Sequence, residues 1–285
     1  MLTKELDTAI AAARKAGETV LTYYSRNIIE EEKLGADNYS EPVTAADRAA
    51  SRVIVEALRT AFPADAVLSE EEKDDSAART LKRRVWIIDP IDGTRGFINR
   101  DGDFAIQIGL AEDGEPTLGV VYIPVYDVLY YASKGSGAFA VTAGGEPKAV
   151  YTSAKTDFTR MSIATSRDHR SPRATRINQF FGIKNEERRG SIGIKVGLIV
   201  EQKCDLYINL SPRTKFWDTC GPQMILEEAG GALTDMFGER IRYDIEDVQN
   251  NWGVIASNGV SHDAIIEKLG PLLVEFGKVK MKVKS

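Results

Sequence analysis

The chain has 285 residues with 43% hydrophobic content, enough for one large domain or two smaller ones with real cores. Its 37 Lys and Arg against 42 Asp and Glu give a net charge of −5, which argues against a nucleic-acid polymer as partner, since that needs a basic face. A small anionic substrate stays open, because bound metal and a few local basic residues can reverse the sign inside a pocket.

Apolar positions at Leu6, Ile10, Ala13, Ala16, Val20, Leu21 and Tyr24 recur at helical spacing and predict a first helix over residues 3–25. After a polar loop, Thr44 is the expected N-cap of a second helix that buries Ala50, Val53, Ile54, Ala57 and Leu58 and ends at Pro63. Asp47 then takes the third helical position, in capping-box register with Thr44. Residues 85–88 read as a strand that should stop where Asp89 and Pro90 begin, because proline cannot continue a central ladder. Gly93-Thr94 reads as a turn opening a helix. Strand-like runs at 104–110, 117–123, 128–132 and 138–141, with Asp113-Gly114 as a hairpin turn, predict an antiparallel meander packed on the two helices.

The turn-rich stretch from Gly144 to Pro147 is a candidate boundary, giving subdomains 1–148 and 149–285. In the second, residues 162–165 and 204–209 read as strands. Residues 192–200 are ambiguous by pattern and are assigned to a helix. A helix over 220–229 has Asp218 as its expected N-cap and Pro222 in its first turn. Strands at 232–234 and 251–256 and a closing helix over 263–276 complete the chain. The expectation is two closely packed α/β subdomains with a cleft between them, where ligand sites commonly lie.

The chemistry concentrates at Asp89-Pro90-Ile91-Asp92-Gly93-Thr94. Two hard oxygen ligands stand beside a turn whose free N–H groups can meet an anion, a combination that suits Mg²⁺ and a phosphate ester. Each residue also has a plainer reading: Asp89 as a strand terminator, Asp92 as an Asx-turn residue, Glu70-Glu71-Glu72 as a solvated loop. With His169 and His262 the only histidines, a multi-histidine metal site is ruled out, and any metal must be held by carboxylates. Cys204 and Cys220 form no C-x-x-C and read as buried thiols of a reducing compartment. The acidic, amphipathic N-terminus does not read as a signal peptide, and no apolar run approaches the ~20 residues of a membrane span. A soluble, cytoplasmic protein without a membrane partner is expected.

Glu70, the D-P-I-D-G-T run at Asp89–Thr94 and the Trp217-Asp218 pair resemble the signature of the inositol monophosphatase-like superfamily of Mg²⁺-dependent, lithium-sensitive phosphatases. The resemblance implies an α/β (α+β) fold, a layered α/β/α/β/α sandwich of the sugar-phosphatase type, with the active site between two subdomains. It assigns Glu70, Asp89, the Ile91 carbonyl, Asp92 and Asp218 to two or three Mg²⁺ ions. It implies that Asp47, Thr94 and Glu70 orient the attacking water and accept its proton, and that the Gly93 and Thr94 amides hold the phosphate.

Within the superfamily the chain is most similar to 3′(2′),5′-bisphosphate nucleotidases, which act on adenosine 3′,5′-bisphosphate and its sulfated analogue. The run Thr94-Arg95-Gly96-Phe97, the Thr165-Ser166-Arg167-Asp168-His169 segment, Lys195, and Ser211-Pro212 with Gly230-Gly231 carry that likeness. It implies substrate contacts from His169, Ser191, Lys195 and Asp218 besides Gly93 and Thr94. A monomer or homodimer acting on a small phosphate ester is expected. Some relatives carry a serine three residues before the lysine, where this chain has Ile192 after Ser191. Some carry an arginine just after the strand tyrosine, where this chain has Ile208 and Asn209 after Tyr207. An inositol or sugar (bis)phosphatase with the same metal chemistry is the enzyme alternative, and a catalytically inert phospholigand sensor the non-enzyme one.

Overall fold

The computed structural model describes residues 2–25, 30–34, 40–167 and 172–279. The first helix, α1 (Thr3–Tyr24), follows its apolar stripe and buries Ala9, Ala13, Ala16 and Val20. An antiparallel hairpin of β1 (Glu30–Leu34) and β2 (Ser40–Thr44) follows, within the stretch that reads as a polar loop. Thr44 then caps α2 (Ala45–Ala61) as expected: its hydroxyl accepts from Ala46 N at 3.1 Å, and the Asp47 carboxylate accepts from Thr44 N at 2.8 Å.

A seven-stranded sheet runs in chain order: β3 (Ala66–Ser69), β4 (Arg84–Asp92), β5 (Ala105–Glu112), β6 (Glu115–Ile123), β7 (Val128–Ser133), β8 (Ala138–Thr142) and β9 (Lys148–Val150). Only β3 and β4 are parallel, joined by a crossover that contains α3 (Ser76–Thr80); the rest is the expected meander. The short α4 (Thr94–Ile98) leads from β4 toward β5. Pairing of β9 with β8 carries this sheet past the Gly144–Pro147 turn to Val150.

The five-stranded sheet has the order β11-β10-β12-β14-β13, from β10 (Ser162–Ser166), β11 (Asn185–Arg189), β12 (Leu206–Asn209), β13 (Ala232–Thr234) and β14 (Val254–Ser257). Helix α5 (Pro172–Phe181) links β10 to β11, and α6 (Ile192–Val200) links β11 to β12. Helix α7 (Phe216–Glu228) precedes β13, and α8 (His262–Glu275) closes the chain. Strands β10, β11 and β12 are mutually parallel.

Three cores hold the layers together. On one face of the large sheet, Ile54 and Leu58 of α2 meet Trp86, Ile88 and Ile106. On the other, Val85, Ile87 and Val121 meet Ile199 of α6 and Met224 of α7. The same core continues into the small sheet through Ala164, Tyr207 and Ala256. The far face of that sheet is closed by Ile177 of α5 and Leu269 of α8 over Ile163 and Leu206. The order is α1/α2, large sheet, α6/α7, small sheet, α5/α8: the expected layered α/β/α/β/α sandwich. Its geometry explains the unbroken apolar run in β4. Successive side chains enter different cores, and both are apolar.

Helix α7 lies unusually close to the large sheet. A Cβ on Gly119 would stand 2.1 Å from the Gly221 carbonyl oxygen, an approach only glycine permits. The helix also begins earlier than expected. Asp218 is its third residue and not its N-cap: the carboxylate accepts the Lys215 N–H at 2.6 Å, which fixes the start at Phe216 and moves Pro222 into the second turn. Among the described residues no helix is long and apolar enough to cross a membrane.

Candidate active site

Strand β4 does not stop at Pro90 but continues to Asp92. Asp89 stands opposite Gln107 and Asp92 opposite Ala105, so three steps along β4 match two along β5. On a regular strand, residues three apart point to opposite faces. The extra residue of this bulge cancels the difference, and both carboxylates emerge on the side of α6 and α7. Proline is tolerated because the ladder is already broken there.

The neighbouring elements bring more acid to the same place. In the parallel β3–β4 pair, Ser69 lies opposite Ile88, and Glu70 N donates to the Ile88 carbonyl at 3.2 Å, so Glu70 follows β3 beside Asp89. Asp218 arrives from the first turn of α7. One oxygen each from Asp89, Asp92 and Asp218 lies within 4.8 Å of the others. Glu70 lines the same cavity outside that trio, its carboxylate 2.8 Å from the Lys33 ammonium of β1.

Burial holds the Asp89 and Asp218 carboxyls well above the usual range, and neighbouring charges add to it: Glu70 and Asp92 act on both, and Asp218 on Asp89. Asp92 is also raised by burial, against the pull of the Ser191 hydroxyl and the Gly193 N–H. Three mutually repelling oxygen donors, Asp89 and Asp92 buried and Asp218 half-buried, fit a hard divalent cation.

A stability consequence follows. Groups held above their unfolded pKa bind protons in the folded state, so their contribution is full below about pH 4 and is lost as pH rises through the raised folded values. A divalent cation replaces those protons. Mg²⁺ is therefore expected to raise the melting temperature more at about pH 8 than at about pH 5.5, and to release protons on binding. Melting curves in EDTA and in Mg²⁺ across that range check this; a shift independent of pH would contradict it.

Beyond the carboxylates, Gly93 turns the chain into α4 with φ of 95°, and a Cβ there would stand 2.6 Å from the Asp103 carbonyl oxygen. The turn places the Thr94 hydroxyl 3.2 Å from the Ile91 carbonyl and 3.4 Å from Asp47 Oδ1. Asp47 Oδ2 meanwhile accepts from Thr44 N at 2.8 Å and Thr44 Oγ1 at 2.6 Å. Capping and contact with Thr94 thus use different oxygens of one carboxylate. Burial raises the Asp47 pKa to about 7; the Thr44 hydroxyl pulls it down and the charge of Glu70 pushes it up.

The loop before α6 grips Asp92. Asp92 Oδ2 accepts from Ser191 Oγ at 2.5 Å, from Gly193 N at 2.9 Å and closely from Gln107 Nε2. Ser191 also caps α6, accepting from Ile194 N at 3.1 Å. Lys195 lines the cavity but is 1% exposed, with its ammonium donating to the Gly190 carbonyl at 2.9 Å and lying 4.8 Å from the centre of the Tyr207 ring. His169 lies outside the described residues.

The cavity measures about 270 Å³. Its acidic wall carries Asp89, Asp92 and Asp218, and it is also lined by Tyr207, Arg213, Thr214 and Lys215. Sequence reasoning passed over Lys33 and the Arg213-Thr214-Lys215 run. The available signal was two basic residues, Arg213 and Lys215, shortly before Phe216-Trp217-Asp218; Lys33 stands in an acidic, loop-like stretch and offered none.

The profile of the inositol monophosphatase family matches residues 1–272. The chain belongs to the inositol monophosphatase family. Phosphatases of this family are metal-dependent, and this chain is one of them. It is 36% identical over 240 residues to the 3′(2′),5′-bisphosphate nucleotidase CysQ of Salmonella typhimurium, covering 84% of this chain and 93% of that one. To the fructose-1,6-bisphosphatase/inositol-1-monophosphatase of Thermotoga maritima it is 31% identical over 283 residues, 95% of this chain and 98% of that one. Among solved structures of the family, CysQ from Bacteroides thetaiotaomicron superposes with a TM-score of 0.75 at 34% identity, covering 90% of this chain and 97% of that one.

Proposed function

We propose that this phosphatase is a Mg²⁺-dependent 3′(2′),5′-bisphosphate nucleotidase that removes the 3′-phosphate of adenosine 3′,5′-bisphosphate. The observation that carries this reading is the two-signed cavity: a trio of close carboxylates with basic Arg213 and Lys215 lining the same space. A metal centre accounts for one phosphate, and basic side chains in the same cavity suit a substrate with a second. The similarity to CysQ nucleotidases supports the same substrate class.

Asp89, Asp92, Asp218, Glu70 and the Ile91 carbonyl would hold the ions, which supply positive charge to the phosphate oxygens and acidify water. The chain's own groups do the rest. Thr94 and Asp47 orient a water in line with the phosphorus, and the Asp47 carboxylate, held near neutrality by burial, receives its proton. The Gly93 and Thr94 N–H groups at the start of α4 hold phosphate oxygens. The new P–O bond forms from water as the bond to the ribose oxygen breaks; that oxygen leaves as an alcohol by taking a proton from solvent water, and Asp47 returns its proton to solvent. Ser191 and Gly193 act one step back, holding Asp92 in place.

The Thermotoga maritima relative, named for fructose bisphosphate and inositol monophosphate, favours a second reading with the same centre and a sugar or inositol phosphate as substrate. Phosphate release from adenosine 3′,5′-bisphosphate, inositol 1-phosphate and fructose 1,6-bisphosphate with Mg²⁺ decides between them. The nucleotide is expected to lead in kcat/KM by at least about tenfold, the value of one good charge-assisted contact. A lead by inositol 1-phosphate or the sugar would replace the nucleotidase reading, and turnover of none of the three would overturn both readings and point to another phosphate ester.

A further inference from the structure

We propose that Arg213 and Thr214, in the segment ahead of α7, form the subsite that recognises the phosphate left unhydrolysed; this rests on the bisphosphate reading above. Thr214 lines the cavity and is 6% exposed, yet its Oγ1 is buried and has no hydrogen-bond partner. Buried hydroxyls are almost always partnered, so an orphan in a cavity wall marks a place where a bound group completes the bonding. The hydroxyl sits between two basic residues that line the same cavity. Arg213 is exposed, whereas Lys215 is 7% exposed with its ammonium 5.6 Å from the centre of the Trp217 ring.

The segment is held firmly. Asn250 N donates to the Thr214 carbonyl at 2.8 Å, and Asn250 Nδ2 donates to the Lys215 carbonyl at 3.0 Å. Lys215 N is in turn bound to Asp218 at 2.6 Å. The proposed subsite is therefore tied through a few residues of fixed backbone to a member of the carboxylate trio, which sets the spacing between the two phosphates the cavity can take. A phosphate monoester dianion calls for a guanidinium fork and a hydroxyl donor, and Arg213 and Thr214 supply both. Lys195, the residue expected to serve here, already donates to the Gly190 carbonyl beneath the loop that grips Asp92.

The test compares R213Q and T214V with wild type on adenosine 3′,5′-bisphosphate and on adenosine 3′-monophosphate, both with Mg²⁺. R213Q is expected to raise KM for the bisphosphate about ten- to a hundredfold and T214V about three- to tenfold, with changes for the monophosphate several times smaller. The selectivity for the second phosphate should therefore collapse in R213Q. Wild type that prefers the bisphosphate while both variants keep that preference overturns the subsite alone. Wild type without any preference for the bisphosphate overturns the nucleotidase reading, and the subsite with it.

Discussion

Asp89→Asn is expected to lower kcat/KM by roughly three orders of magnitude or more while making the metal-free protein more stable. The substitution is local. Ile91 N donates to Asp89 Oδ1 at 3.0 Å, and the carbonyl oxygen of an asparagine preserves that bond. What disappears is the charge. A neutral amide is a poor ligand for a hard cation, so the centre loses a ligand on β4 just beyond the point where β3 ends beside it. In the absence of metal that same charge is a liability, 2% exposed and facing Glu70, Asp92 and Asp218. Its removal relieves both the burial cost and the repulsion.

In EDTA the variant should therefore melt a few degrees above wild type, and the further rise caused by Mg²⁺ should shrink. Kinetics together with melting curves in the two conditions check both halves. Activity within tenfold of wild type would remove Asp89 from the metal centre, and a lower melting temperature in EDTA would make it a structural residue.

Asp47→Asn and Thr94→Ala are expected to lower kcat by about a hundredfold or more with little change in KM. The fold around Asp47 should persist, because an asparagine can still accept from Thr44 N. The contact to Thr94 would then run the wrong way, with the new amide donating where the carboxylate accepted. The pH profile separates a base from a bystander. With the carboxyl raised by burial to about 7 and its ionised form required, kcat/KM should rise with pH through an acid limb near or below that value. Asp47→Asn should abolish the limb, and Thr94→Ser should recover most of the rate lost in Thr94→Ala. Variants that altered only KM, or an acid limb that survived Asp47→Asn, would take the pair out of the proton transfer.

Much of the architecture was legible because local patterns report burial. Helix α1 shows its stripe at helical spacing, and the Thr44–Asp47 box announces α2. The Asp113-Gly114 turn, with φ of 50° and 77°, separates two strands whose apolar runs need no partner to be recognised. The unforeseen helix α5 buries Ile177 and Phe181 within a polar, basic run, and two unforeseen strands carry mostly charged residues. Strand β11 reads Asn-Glu-Glu-Arg-Arg and lies at the edge of its sheet, and β1 reads Glu-Glu-Glu-Lys-Leu in a hairpin outside both large sheets. Lys33, in that hairpin, pairs with Glu70 and Glu71, a contact no spacing along the chain anticipates.

By itself the sequence pointed to the residues proposed for the site: Glu70, Asp89, Asp92 and Asp218, each near a strand end or a helix start, and the Asp47–Thr94 pair. Side-chain chemistry and strand-end position are local properties, so they can be read locally. Only the tertiary structure decided how these residues meet. Asp89 and Asp92 would diverge on a regular strand and share a face because the β4–β5 register slips by one residue, which depends on the partner strand. Ser191 holds Asp92 across nearly a hundred residues of chain, and Lys195 is spent on the Gly190 carbonyl, because α6 is layered between the two sheets. Pairings of that kind follow from which faces must be buried against each other, a condition on the whole fold that no single segment contains.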